Sequence, residues 1–121
     1  MAGHSTALLT AYRDELSAGH AALKSRDFAE AFRRYERAHI LGQRRTGLHV
    51  RAHVAMLRVA WRKGDMKELI GQVTRIAAAA LFSRVWVPEG NTGGANVSAL
   101  KPMPIPEDLR RFLDAREKTN R

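Results

Sequence analysis

The residues best suited to chemistry are three histidines and one glutamate in the middle of the chain. His49 and His53 form a His-x-x-x-His pair, and Glu36 and His39 form a Glu-x-x-His pair. Residues three or four apart lie on one face of a helix, so each pair presents its side chains together. Three imidazoles and a carboxylate suit zinc, iron, nickel, cobalt or copper. The spacing therefore predicts a divalent transition-metal site, with Glu36 as its fourth ligand.

Two helices must position these ligands. Apolar spacing predicts helices over 27–43 and 46–63, and the connection between them is short, which makes them antiparallel neighbours. At about 100° per residue, His49 and His53 fall in the middle of the apolar face of the later helix. We expect further polar residues to surround the imidazoles: Tyr35 and Gln43 on the earlier helix, and Asn91, Thr92 and Asn96 at the mouth of the pocket.

The rest of the chain predicts an all-α fold in a single domain, residues 1–121. Two further helices are expected over 5–24 and 65–82, and no proline occurs before Pro88. Prolines and adjacent glycines then exclude a helix. The predicted parts are a core of two antiparallel helical hairpins (5–84), an extended Pro/Gly-rich strap lying on the bundle (85–106), a short helix (107–117) and a frayed tail (118–121).

Composition excludes several classes of protein. The 121 residues include no cysteine, which excludes disulfides, thiolate zinc sites and iron–sulfur ligation. The sequence contains no run of about 18 apolar residues, so no membrane span is predicted. The first residues do not resemble a signal peptide, and a cytoplasmic location is therefore expected. No nucleophile elbow is present, and the glycine-rich run lacks the frame of a phosphate loop. Enzymatic activity stays open: it would need a metal-bound water with Glu36 as base.

A second feature is positive charge. The formal net charge is +9, and no acidic residue occurs between Arg37 and Gly64. Such a surface is either an ordinary solvated face or a contact for an anion, an acidic protein or a nucleic-acid backbone. The arginines of this basic face are Arg44, Arg45, Arg51, Arg58 and Arg62.

The histidines also have readings that involve no metal. Buried imidazoles often belong to a structural polar network, and a cluster of them can line a pocket for a small ligand. The sequence thus supports a metal-binding or ligand-binding protein first, and a non-catalytic interaction module that uses the basic face second. A homodimer is compatible with either function.

Two resemblances add to these expectations. Residues 26–31 (RDFAEA) align with residues 64–69 (GDMKEL), and this repeat resembles the paired helices of tetratricopeptide repeats. The motifs HILGQ (39–43), HVRAH (49–53), PEGNTGGANVS (88–98) and PMPIP (102–106) resemble a small bacterial family of unknown function. The first resemblance implies antiparallel helical hairpins, and the second implies a bacterial cytoplasm without indicating an activity.

Overall fold

The computed structural model describes residues 2–82 and 102–117. These residues form helices and contain no strand, which confirms the all-α prediction. The helices are α1 (Ala2–Lys24), α2 (Phe28–Gly42), α3 (Thr46–Lys63), α4 (Met66–Phe82) and α5 (Glu107–Glu117). The chain begins its first helix at Ala2, earlier than the expected start at residue 5.

Each of the first four helices packs on its neighbours in the chain. The main contacts join α1 to α2, α2 to α3 and α3 to α4, and α5 lies against α1 and α2. Connections of two or three residues make consecutive helices antiparallel, as the sequence predicted. The bundle therefore places α3 between α2 and α4, and residues on α3 contact both of these helices.

The helix ends follow local chemistry. Asp27 and Asp65 each accept a backbone N–H with their side chains, from Glu30 at 3.2 Å and from Glu68 at 3.0 Å. These are the N-cap bonds that short acidic side chains make. Gly64 ends α3 with φ of 78°, a left-handed conformation that glycine adopts without strain.

Two clusters of buried apolar residues form the core. The first joins α1, α2 and α5, and the second joins α1, α2 and α3. Arg37 reinforces the position of α5, because its guanidinium pairs with the buried Glu15 on α1 and with Asp108 on α5. Members of the first cluster are Leu8, Tyr12, Ala38, Ile40, Leu41, Leu109 and Leu113; those of the second are Ala22, Leu23, Ala31, Tyr35, Ala55, Met56 and Val59.

Only the end of the predicted strap belongs to the described part of the chain. Residues 102–106 have no regular secondary structure, and Ile105 packs against the first core cluster. Pro106 immediately precedes α5, as expected from the preference of proline for helix starts. The rest of the predicted strap, residues 85–101, lies outside the described residues. Among the described helices, none has the length and apolar character that crossing a membrane requires.

Candidate metal centre

The turn between α2 and α3 brings the first two histidines together. Gly42 packs so closely here that a Cβ atom would lie 2.8 Å from the Cβ of Leu48. The hydroxyl of Tyr12 donates a hydrogen bond of 2.7 Å to the Leu48 carbonyl, which ties α1 to the start of α3. The end of α2 is therefore held against the first turns of α3, with His39 opposite His49.

The three predicted histidines converge on one point. The Nε2 atom of His53 lies 3.2 Å from Nε2 of His39 and 3.1 Å from Nε2 of His49. The ring centroids are 4.5 to 4.9 Å apart, and one ligand nitrogen from each ring lies within 4.8 Å of the others. The antiparallel register predicted from the sequence therefore places all three imidazoles together.

The site lies in the interior, and burial controls the charge of its imidazoles. All three histidines are buried, with at most 8% of any of them exposed. Burial lowers the pKa of His49 from 6.5 to about 4. Burial is also the main cause that lowers the pKa of His53 to about 4, assisted by the charges of His49 and Arg75 and opposed by a hydrogen bond to Gln72. Both imidazoles are therefore neutral near pH 7, the form that binds metals.

A glutamine that the sequence analysis did not identify orients His53. Gln72 on α4 is fully buried, and its Oε1 accepts a hydrogen bond of 2.7 Å from Nδ1 of His53. Its Nε2 donates to Oε1 of Glu68 at 2.6 Å and to the Met56 sulfur at 3.4 Å. These two acceptors fix the amide, so its oxygen faces His53. Because Nδ1 carries the proton, Nε2 of His53 keeps its lone pair for the cluster.

Two buried polar atoms beside the turn have no hydrogen-bond partner among the described residues. They are Nδ1 of His49 and Oε1 of Gln43. Gln43 is 1% exposed and was predicted to lie near the imidazoles. The tautomer of His49 is therefore set by what its Nε2 atom binds, whereas Gln72 sets the tautomer of His53.

The predicted fourth ligand lies elsewhere. Among the described acidic side chains, none joins the group formed by the three histidines. Glu36 is half-buried and lines a surface cavity of about 310 Å³, together with Lys63, Asp65 and Glu68. Glu36 is one turn before His39 and about 60° around the helix from it, which directs it away from the imidazoles.

The other predicted pocket residues also fall away from the cluster or outside the described residues. The hydroxyl of Tyr35 shares a hydrogen bond of 2.6 Å with Nδ1 of His20, an exposed histidine near the end of α1. Tyr35 thus supports the second core cluster instead of orienting the three imidazoles. Asn91, Thr92 and Asn96 lie outside the described residues.

The structure places the arginines of the predicted basic face in different surroundings. Arg58 and Arg62 line a cavity between α1, α3 and α4. Arg45 instead donates a hydrogen bond of 2.7 Å to the Ser5 hydroxyl. Arg44 and Arg51 are exposed. The use of these five arginines as one contact surface stays a prediction.

The chemistry of the cluster follows from where its lone pairs point. In a network of hydrogen bonds alone, the single lone pair on Nε2 of His53 would have to accept from both other imidazoles. A cation at the common point would instead accept a lone pair from each Nε2 atom. The three rings thus bring together three imidazole nitrogens, a donor type that metal sites in proteins commonly use.

Comparison with known proteins identifies a family but not an activity. No curated protein and no solved structure matches the chain significantly. Residues 6–113 match the family described as "Protein of unknown function (DUF3703)". This range includes the three clustered histidines, Glu68 and Gln72. The chain therefore belongs to the DUF3703 family.

Proposed function

We propose that this protein binds a transition-metal ion through Nε2 of His39, His49 and His53. The observation that carries the proposal is the convergence of these three nitrogens inside the bundle, with pairs 3.1 and 3.2 Å apart. Imidazole nitrogens bind zinc at about 2.0–2.1 Å, so this separation corresponds to an angle of about 100° at the metal. For these two pairs of nitrogens, that angle is close to the tetrahedral value.

The surroundings support ligation by His53 in particular. Its Nδ1 atom donates to Gln72, whose amide is oriented by Glu68. Such outer hydrogen bonds hold metal-binding imidazoles in the correct tautomer and raise their basicity. The carboxylate of Glu68 also brings one negative charge near a site whose three direct ligands are neutral. This charge offsets part of the cation's charge in the interior.

The ligand set narrows the choice of metal. Among the described residues the set contains imidazole nitrogens alone, since the chain has no cysteine and Glu36 lies outside the cluster. Imidazole suits zinc, copper, iron and nickel, and cobalt also binds to nitrogen ligands. Iron sites in oxygenases use two histidines and a carboxylate, which this cluster lacks. We therefore favour zinc, copper, nickel or cobalt over iron.

The proposed role is binding, not catalysis. Three protein ligands leave a fourth position for water or for a small ligand. The residue expected as a base, Glu36, lines a different cavity, and none of the described acidic side chains joins the cluster to move a proton. A bacterial origin and a cytoplasmic location remain predictions from the sequence.

Titration of metal-free protein with Co²⁺ tests the proposal. Tetrahedral Co²⁺ absorbs visible light far more strongly than octahedral aqueous Co²⁺, so the intensity of the visible bands reports the geometry directly. We expect saturation at one ion per chain, followed by loss of the bands when Zn²⁺ is added. The variant His53→Ala should lose the bands, and His20→Ala, which removes an exposed histidine outside the cluster, should keep them. Equal spectra for these two variants would overturn the proposal.

A further inference from the structure

We propose that a second cavity, whose lining includes none of the three clustered histidines, binds a small amphiphilic anion, a molecule with a carboxylate or phosphate head and an apolar body. The cavity has a volume of about 510 Å³ and lies between the last turns of α1, the last turns of α3 and the first turn of α4. We call it the α1–α3–α4 cavity. The described residues that line it are His20, Leu23, Lys24, Leu57, Arg58, Trp61, Arg62 and Leu69.

One half of the lining is apolar and open to solvent. Leu57 and Leu69 are half-buried, and Trp61 leaves 73% of its surface exposed. A tryptophan this exposed leaves a large apolar area in contact with water. The apolar body of a ligand would cover this area and remove it from water, which is the main driving force for binding such molecules.

The other half of the lining is cationic. Lys24, Arg58 and Arg62 contribute three positive charges, and none of the described residues that line the cavity carries a carboxylate. Within the described part of the chain, none of the three forms an ion pair with an acidic side chain. Guanidinium groups bind carboxylates and phosphates through paired hydrogen bonds. The charge of the cavity therefore selects an anionic head and disfavours a cationic one.

The size of the cavity favours a small molecule over a longer polypeptide. The volume lies in the range of about 300–1,000 Å³ that is typical of small-molecule sites. The lining is confined to one end of the bundle, because α4 contributes only Leu69 and α1 only residues 20–24. A docked helix would need apolar anchors spread over several turns.

The α1–α3–α4 cavity is independent of the proposed metal centre. None of the three clustered histidines, and neither Gln72 nor Glu68, contributes to its lining. A failure to bind metal would therefore leave this proposal standing, and the reverse also holds.

Trp61 provides the measurement. The chain contains two tryptophans, and Trp86→Phe leaves Trp61 as the reporter. We expect decanoate, below its micelle concentration, to change the fluorescence of Trp61 in a saturable way with one site per chain. Octanoate and hexanoate should bind progressively more weakly, by about fourfold for each methylene group lost. Decyl phosphate should bind as decanoate does, and decyltrimethylammonium should not bind. Isothermal titration of the unsubstituted chain gives the same constants without the Trp86 change.

Matched substitutions localise the binding. Arg58→Gln and Arg62→Gln should each weaken decanoate binding by about tenfold, since each removes a charge-assisted hydrogen bond. Arg51→Gln, which removes an exposed arginine from the same helix but outside the cavity, should bind as the unsubstituted chain does.

Several outcomes would overturn the proposal. Equal binding of the cationic amphiphile, or an unchanged constant in both cavity variants, would show adsorption to apolar surface only. A concentration-dependent dimer in sedimentation, lost on Trp61→Ala, would assign the cavity to a second copy of this chain. Binding of a Glu-rich peptide without any binding of decanoate would assign it to a polypeptide.

Discussion

The Nδ1 atom of His53 lies 2.7 Å from Oε1 of Gln72, and this contact decides which nitrogen of His53 faces the other imidazoles. An amide oxygen only accepts hydrogen bonds, so Nδ1 must carry the proton. The Nε2 atom is then unprotonated, and its lone pair faces His39 and His49. A residue on α4 thus sets the chemistry of a cluster formed by α2 and α3.

Replacing Gln72 should weaken metal binding without removing any ligand. In Gln72→Leu the leucine has a similar size but cannot accept a hydrogen bond from Nδ1 of His53. His53 therefore loses the contact that fixes its tautomer. We expect an affinity loss of about 10- to 100-fold, the range that is typical of outer hydrogen-bond partners. Competition with a chelator of known affinity for Zn²⁺ measures the change.

The matched control is Thr74→Ala, which alters an exposed residue on the same helix. It should bind Zn²⁺ as the unsubstituted chain does. If Gln72→Leu binds equally tightly while its circular dichroism spectrum is unchanged, the hydrogen bond to Gln72 has no role in ligation.

Acidification should destabilise the metal-free protein before its carboxylates titrate. The pKa of both His49 and His53 is lowered from 6.5 to about 4 in the folded chain. Between these values the unfolded chain binds protons that the folded chain does not, so stability rises with pH and falls as the pH is lowered. We expect a loss on the order of a few kcal/mol between pH 7 and pH 4.5. Urea unfolding at a series of pH values measures this loss.

The double variant His49→Gln/His53→Gln isolates the contribution of the two imidazoles. Its unfolding free energy should depend on pH less steeply than that of the unsubstituted chain, because glutamine does not titrate. Two curves of equal slope between pH 7 and pH 4.5 would mean that these imidazoles are not buried in their neutral form.

The two glycines on either side of the α2–α3 turn should respond oppositely to alanine. A Cβ at Gly42 would lie 2.8 Å from Leu48 and 2.9 Å from the ring of Tyr12, whereas a Cβ at Gly47 would meet nothing within 4 Å. Gly42→Ala should therefore destabilise the protein by about 1–3 kcal/mol through overpacking. Gly47→Ala, inside a helix, should stabilise it by about 0.5–1 kcal/mol.

Chemical denaturation of the two glycine variants measures both effects. Gly42→Ala should also weaken Zn²⁺ binding, because it separates His39 from His49, and Gly47→Ala should leave binding unchanged. A neutral effect of Gly42→Ala on stability would contradict the close packing at this turn.

Much of the fold and the core of the site could be predicted from local patterns. The helical period and the cap residue Asp27 define α2, and the short turn after Gly42 sets its register against α3. That register brings His39, His49 and His53 together. These features depend on residues close in sequence, where spacing determines direction.

The parts that sequence analysis missed depend on contacts between distant elements. Gln72 meets His53 only because of how α4 packs on α3, which no spacing within α4 specifies. A signal was present, since Gln72 interrupts the apolar face between Leu69 and Ile76, with Glu68 one turn before it. Glu36 shares a motif with His39, but its 60° rotation around α2 places it beside a different cavity.

The most direct test of the account is the metal content of protein purified without a histidine tag. Elemental analysis after removal of loosely bound ions should give about one equivalent of zinc, copper, nickel or cobalt per chain. His49→Ala and His53→Ala should lose that metal, and His20→Ala should retain it. Protein that contains no metal, and whose melting temperature does not rise when any of the four ions is added, would contradict the account and identify the histidine cluster as a structural network.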